Sequence, residues 1–108
     1  MKIAIIGSRS LCPDLDRYIP DDCSEIITGG AKGVDTCAAQ YAATKGIKLT
    51  EYRPDYQRYG RGAPHRRNDR IIAAAEVVFA FWDGKSRGTK SVIEKTRKLN
   101  KPIMVWII

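Results

Sequence analysis

Three short stretches of this chain each end an apolar run in a glycine-bearing turn: IIGSRS at 5–10, ITGGAKGVD at 27–35 and FWDGKSRGT at 81–89. Glycine has no Cβ, so such a turn lets an anion approach the backbone. The open N–H groups and the dipole of a following helix then favour that anion. The chemistry served is phosphate binding. In the first turn Gly7, Ser8 and Arg9 stand at the strand end, with Arg9 in reach of a phosphate. In the second, Gly29 and Gly30 turn the chain, Gly33 lets the helix pack close to the sheet, and Asp35 caps that helix or holds a ribose hydroxyl. In the third, Gly84, Ser86, Gly88 and Thr89 follow Asp83 into a helix. One turn of this kind is also what a tight connection that binds nothing would use. Three opening on one edge of a sheet point to a ligand.

Arginine supplies the second signal. Six of the ten arginines (Arg53, Arg58, Arg61, Arg66, Arg67, Arg70) fall between 53 and 70, interleaved with Tyr52, Tyr56 and Tyr59. Guanidinium forks suit phosphate oxygens, and the tyrosines either stack bases or pack a long loop. Arg67 reads as a ligand contact and Asn68 as a hydrogen-bonding partner of a base or ribose. Trp82 at a strand mouth reads as core more than as a stacking platform. His65 has no partner visible in sequence and is assigned no catalysis. The net charge of +7 suits anionic partners.

The elements that must position these residues are legible from pattern. Apolar runs at 2–7, 25–29, 47–51, 76–82 and 102–108 read as strands covered on both faces. Between them, helical spacing covers 11–19, 34–45, 64–75 and 89–99; Pro20 stops the first helix and Gly46 ends the second. The alternation predicts an α/β domain with a parallel sheet, right-handed crossovers and helices on both faces. Residues 52–63 are the one long irregular piece, and their length marks a functional loop. In such sheets ligands sit beyond the carboxyl ends of the strands, where all three glycine turns fall.

Composition excludes several classes. A chain of 108 residues is one domain, 1–108, with a single core. No apolar run approaches the roughly 20 residues of a membrane span, so no membrane role is expected. Cys12, Cys23 and Cys37 are odd in number and lack metal-ligand spacing; with one histidine no metal site is expected, and a reducing cytoplasm is the simplest home. GKSRGTKS is not a Walker A loop, because Thr89 stands where the pattern needs glycine. A dinucleotide fingerprint would need glycine at Thr28, although Glu51 stands where a ribose-binding acid belongs.

Taken together, GSRS, ITGGAKGVD, HRRND, FWDGKSRGT and the closing KPI resemble the SLOG superfamily, specifically its small YspA-like (YpsA-related) branch, over nearly the whole chain. The superfamily includes the LOG phosphoribohydrolases and DNA-processing protein A. The resemblance implies a Rossmann-like three-layer domain, a five-stranded parallel sheet of order 3-2-1-4-5 and a nucleotide-type ligand. By position, Gly29, Gly30 and Gly33 match the first glycine motif. Arg67 falls on an active-site arginine of the LOG enzymes, and Gly88 and Thr89 match the phosphate-binding Gly-Thr of PGGxGTxxE. The glutamate of that motif falls on Val92 here, and Asp83 and Gly84 replace its leading residues.

That departure bears on chemistry. Cleaving an N-glycosidic bond builds positive charge on the ribose, which a carboxylate would stabilise. Glu94 lies about 200° around the helix from Val92 and faces away; it reads as a capping partner of Ser91. Asp83 is the remaining catalytic candidate. The expectation is therefore a domain that binds or senses a nucleotide or an ADP-ribose-type derivative, with no certain cofactor. A nucleotide-processing hydrolase and a DNA-binding protein are the alternatives. A homo-oligomer is compatible with either.

Overall fold

The computed structural model describes residues 1–108. Five strands form one parallel sheet of order β3-β2-β1-β4-β5: β1 Lys2–Gly7, β2 Glu25–Thr28, β3 Lys48–Glu51, β4 Val77–Trp82 and β5 Ile103–Ile107. The helices are α1 Val34–Lys45, α2 Tyr56–Tyr59, α3 Ala63–Ala74 and α4 Arg87–Lys98. The chain runs outward from β1 through β2 to β3, returns across the sheet to place β4 on the other side of β1, and adds β5 beyond it. β1 and β4 are therefore adjacent, with Ile5 beside Phe79 and Gly7 beside Phe81.

Alternation along the buried strands divides the core into two halves. Ile3, Ile5, Ile26, Phe79 and Phe81 face α1 and the segment before β2, where Ala38, Ala42, Leu15 and Ile19 cover them. Ala4, Ile6, Ile27, Val78 and Ala80 face α3 and α4, where Ile71, Ile72, Val92 and Ile93 cover them. Each half is dry and closely packed, so both faces of β1 and β4 are lost from water. Trp106 of the edge strand β5 stacks on Phe81 at 5.0 Å and meets Tyr18 edge-on at 4.9 Å, closing one end of the first half.

Several expected boundaries move for identifiable reasons. The helix expected over 11–19 is only a 3-10 turn, Leu15–Arg17. Pro13 and Pro20 bracket it, and neither can donate a backbone hydrogen bond. Leu15 and Ile19 are buried all the same. The irregular piece at 52–63 contains α2, whose first turn is capped by Asp55 accepting from the Arg58 N–H at 3.2 Å, and a 3-10 turn at Gly60–Gly62 that runs into α3. Helix α4 begins two residues before the expected start, because Ser86 Oγ accepts from the Thr89 N–H at 3.4 Å and acts as its cap.

The cysteines also depart from expectation. Cys12 and Cys37 form a disulfide with Cα atoms 5.7 Å apart, and Cys23 is a buried free thiol. The bridge ties the loop after β1 to the first turn of α1. It runs against the expectation of three reduced thiols, because two of the cysteines, 25 residues apart in sequence, meet in space. No helix is long and apolar enough to cross a membrane.

The closest backbone approach in the central layer is at Gly7. A Cβ there would lie 2.4 Å from the Phe81 carbonyl oxygen and 2.6 Å from Val34 Cγ2. Neither neighbour can yield without shifting β4 or α1. Gly7→Ala is expected to lower stability by about 1–3 kcal/mol, read as a lower urea midpoint at unchanged slope.

Candidate functional site

Gly29 is gripped from both sides. Its N–H donates to Asp35 Oδ2 at 3.1 Å, and the Ala31 N–H donates to the same oxygen at 3.2 Å. Its carbonyl oxygen accepts from Arg67 Nη1 at 2.7 Å, while Arg67 Nε donates to Asn68 Oδ1 at 2.8 Å. The contact is so close that a Cβ on Gly29 would lie 2.5 Å from Arg67 Nη1. Asp35 is buried, and burial raises its carboxyl above the usual 3.8, against the opposing pull of the Ala31 and Gly29 N–H groups and the Arg67 charge. Burial likewise lowers the Arg67 guanidinium, with the Asp35 charge opposing. The Asp35 carboxyl thus takes two N–H groups of the β2–α1 loop, while the N–H groups of Asp35 and Thr36 at the start of α1 have no partner.

Gly33 has a different task. Its φ of +75° is one that a side chain resists, and a Cβ would lie 2.4 Å from the Arg9 carbonyl oxygen. It lets the start of α1 press against the loop after β1, the same junction that the disulfide secures.

The β4–α4 turn is organised differently. Asp83 Oδ1 accepts from the Lys85 and Ser86 N–H groups, both at 2.8 Å, and these bonds hold its carboxyl below the usual range. The Asp83 N–H donates to the buried Ser8 Oγ at 3.0 Å, and Ser10 Oγ donates to Asp83 Oδ2 at 3.4 Å. The Trp82 indole N–H donates to the Ser86 carbonyl at 3.0 Å. These bonds fix the turn but leave the N–H groups of Arg87 and Gly88, the first two residues of α4, with no partner. A Cβ on Gly88 would meet nothing within 4 Å.

Between the two turns lies a cleft of about 330 Å³ at the carboxyl edge of the sheet. Of the residues singled out in sequence, Gly7, Arg9, Gly29, Asp35, Arg67, Asn68, Ser86, Gly88 and Thr89 line it. Ser8, Gly30, Gly33, Asp83 and Gly84 do not; they shape the turns from behind. Trp82 packs against the core on the α3–α4 side. Glu94 pairs with Lys90 at 3.9 Å outside the cleft, and since Ser86 caps α4, the expected partnership with Ser91 does not form. Glu51 accepts from Arg53 at 3.1 Å.

Sequence reasoning passed over the apolar floor, Ile6 and Ile71, and the rim residue Pro64; His65, to which it assigned no catalysis, lines the rim as well. Pro64, Asn68 and Ile71 recur at helical spacing on α3, a signal available once the helix is drawn against the sheet. The tyrosines of the arginine-rich segment meet the chain's own cations: Arg66 and Arg58 lie 5.3 and 5.2 Å from the Tyr59 ring, and Arg70 lies 4.6 Å from the Tyr52 ring.

The model of the "YAcAr: YspA, cpYpsA-related SLOG family" matches residues 1–59, which contain β1, both turns around α1 and the glycine cluster. The chain belongs to this family. It is also similar to the Gene 61 protein of Mycobacterium phage D29, 31% identical over 85 residues that span 73% of this chain and 68% of the phage protein. No solved structure matches it. For this SLOG-family chain, the matched half holds the β2–α1 turn braced by Asp35, and the α4 terminus lies in the half beyond it.

Two outcomes follow for Asp35. Asp35→Ala leaves the Gly29 and Ala31 N–H groups without their acceptor and is expected to cost about 2 kcal/mol, measured by urea unfolding. The folded pKa is raised, so the native state holds the proton more tightly than the unfolded chain. That contribution is present below the unfolded value and is lost as pH rises through the folded one. The stability of the wild type relative to Asp35→Asn should therefore fall as pH rises from below 3.8 toward neutrality. A gap that widens in favour of the wild type would contradict the assignment.

Proposed function

We propose that the chain binds a nucleotide or nucleotide-derived ligand in this cleft, with a phosphate at the N-terminus of α4. The observation that carries the reading is Gly88: its N–H has no partner, it lines the cleft, and the space where its side chain would stand is empty. A phosphate there would take the Gly88 and Arg87 N–H groups at the positive end of the helix dipole. Thr89 adds a hydroxyl beside them, and Arg9 and Arg67 add positive charge across the opening. Ile6, Ile71 and Val92 offer an apolar wall suited to the face of a base. The volume lies in the range of small-ligand sites, and SLOG membership agrees with a nucleotide-related role.

Binding is favoured over N-glycosidic cleavage. The one carboxylate lining the cleft is Asp35, and its Oδ2 already accepts two backbone N–H groups. Val92 presents methyl groups where a stabilising carboxylate would be needed. Without a charge aimed at the transition state, binding gives affinity but little rate.

Titration calorimetry with nucleoside monophosphates and ADP-ribose should give at least one dissociation constant below about 1 mM. Gly88→Leu should weaken that ligand by about tenfold or more with an unchanged melting temperature, because the new side chain enters open space. The absence of heat for every ligand with folded protein would sink the reading. Release of free base from AMP at about 1 s⁻¹, an ordinary enzymatic rate, would place hydrolysis first instead.

A further inference from the structure

Beside the cleft, on the next face of α3, lies a second recess of about 210 Å³ that nothing above assigns. Arg53, Arg66, Arg67 and Arg70 line it, and Arg67 lines the nucleotide cleft as well. The recess and the cleft thus share Arg67.

Its carboxylates are already engaged. Asp69 pairs with Lys95 at 2.8 Å, and Asp55 accepts from the Arg58 N–H at 3.2 Å. Arg53 pairs with Glu51 at 3.1 Å. Arg66 and Arg70 have no carboxylate within 4.0 Å; each is instead held over a ring, Arg66 on Tyr59 and Arg70 on Tyr52. Stacking on a ring face orders a guanidinium while leaving the N–H groups along its edge free to donate. Arg66 and Arg70 are unpaired forks in a recess where four arginines outnumber two carboxylates, Asp55 and Asp69, a balance that favours an anion.

We propose that this recess is a second anionic subsite of the same ligand site, so that the preferred ligand is a small nucleotide bearing two separated anionic groups. One group sits at the start of α4 and the other between Arg66 and Arg70, with Arg67 between them. The inference rests on the nucleotide reading of the cleft. A single-stranded oligonucleotide offers the same phosphates; the cleft volume of about 330 Å³, within the range of small-ligand sites, favours the small nucleotide.

The test separates the two subsites. AMP, adenosine 3′,5′-bisphosphate, the dinucleotide pApA and a twelve-residue oligoadenylate are titrated into wild type, Gly88→Leu and the double variant Arg66→Ala/Arg70→Ala. A second double variant, Arg17→Ala/Arg97→Ala, removes the same charge elsewhere. At least one of the two small two-anion ligands should bind the wild type about tenfold tighter than AMP, as expected of charge-assisted forked contacts. The Arg66/Arg70 variant should abolish that gain and leave AMP unchanged, while the Arg17/Arg97 variant should keep the gain. Inorganic pyrophosphate added to Gly88→Leu probes the recess alone, and its binding there should be lost when Arg66 and Arg70 are also replaced. Failure of AMP with retention of that pyrophosphate binding would overturn the cleft reading and the two-group ligand, and leave the recess as a bare anion site. Equal affinity of AMP and both two-anion ligands, or equal loss in the two double variants, would overturn the subsite. Oligoadenylate binding tighter than either small ligand would overturn the small-molecule assignment in favour of a nucleic-acid strand.

Discussion

The site depends on how one residue, Gly29, is held. Its N–H is taken by the buried Asp35 carboxylate and its carbonyl by the Arg67 guanidinium. Through that grip the end of β2, the first turn of α1 and the second turn of α3 become one unit. Arg67 cannot approach so closely past any side chain at position 29. Asp35 cannot be buried unless donors meet it, because an unpaired buried carboxylate carries a large desolvation penalty. Each group makes the other's position tolerable: the guanidinium charge opposes the rise of the Asp35 pKa, and the carboxylate charge opposes the fall of the Arg67 pKa.

The grip also divides labour between turns that look alike. In the β2–α1 turn Asp35 takes the Gly29 and Ala31 N–H groups, while the Asp35 and Thr36 N–H groups at the start of α1 have no partner. The β4–α4 turn is equally well braced, by Asp83, Ser8 and Trp82, but its bracing stops short of the first two N–H groups of α4. What distinguishes them is where the carboxylate stands relative to the helix start. Asp35 lies inside the first turn of its helix and reaches back over the loop; Asp83 lies before its loop and satisfies only Lys85 and Ser86. Both helix starts keep N–H groups without a partner, Asp35 and Thr36 on α1 and Arg87 and Gly88 on α4, and the two turns differ in which loop groups their acids hold.

Much of this was legible in the chain itself. The five strands and the three longer helices follow from apolar runs and helical spacing, because burial on both faces of a parallel sheet demands continuous apolar strands. The sheet order, implied by the resemblance to SLOG proteins, is the order observed. The failures were local. Pro13 and Pro20 cut the first helix to a single 3-10 turn, and the Ser86 cap lengthened the last. Both depend on single hydrogen bonds, which periodicity does not report.

By itself the sequence determined which residues come to the carboxyl edge of the sheet. Strand ends and helix starts are set by local chemistry, and Gly29, Arg67, Gly88 and Asp83 stand at such points. Only the tertiary structure decided what each does there. Asp83 and Asp35 are both acids near a glycine, yet one braces its turn from outside the cleft and the other lines the cleft and holds the Gly29 and Ala31 N–H groups. The pairing of Cys12 with Cys37, the place of Arg67 in both cleft and recess and the stacking of Arg66 and Arg70 on Tyr59 and Tyr52 likewise rest on contacts between separated elements. Spacing along a chain fixes a residue's place on its own element, but a hydrogen bond is a matter of a few tenths of an ångström between two elements, and that distance exists only after they pack.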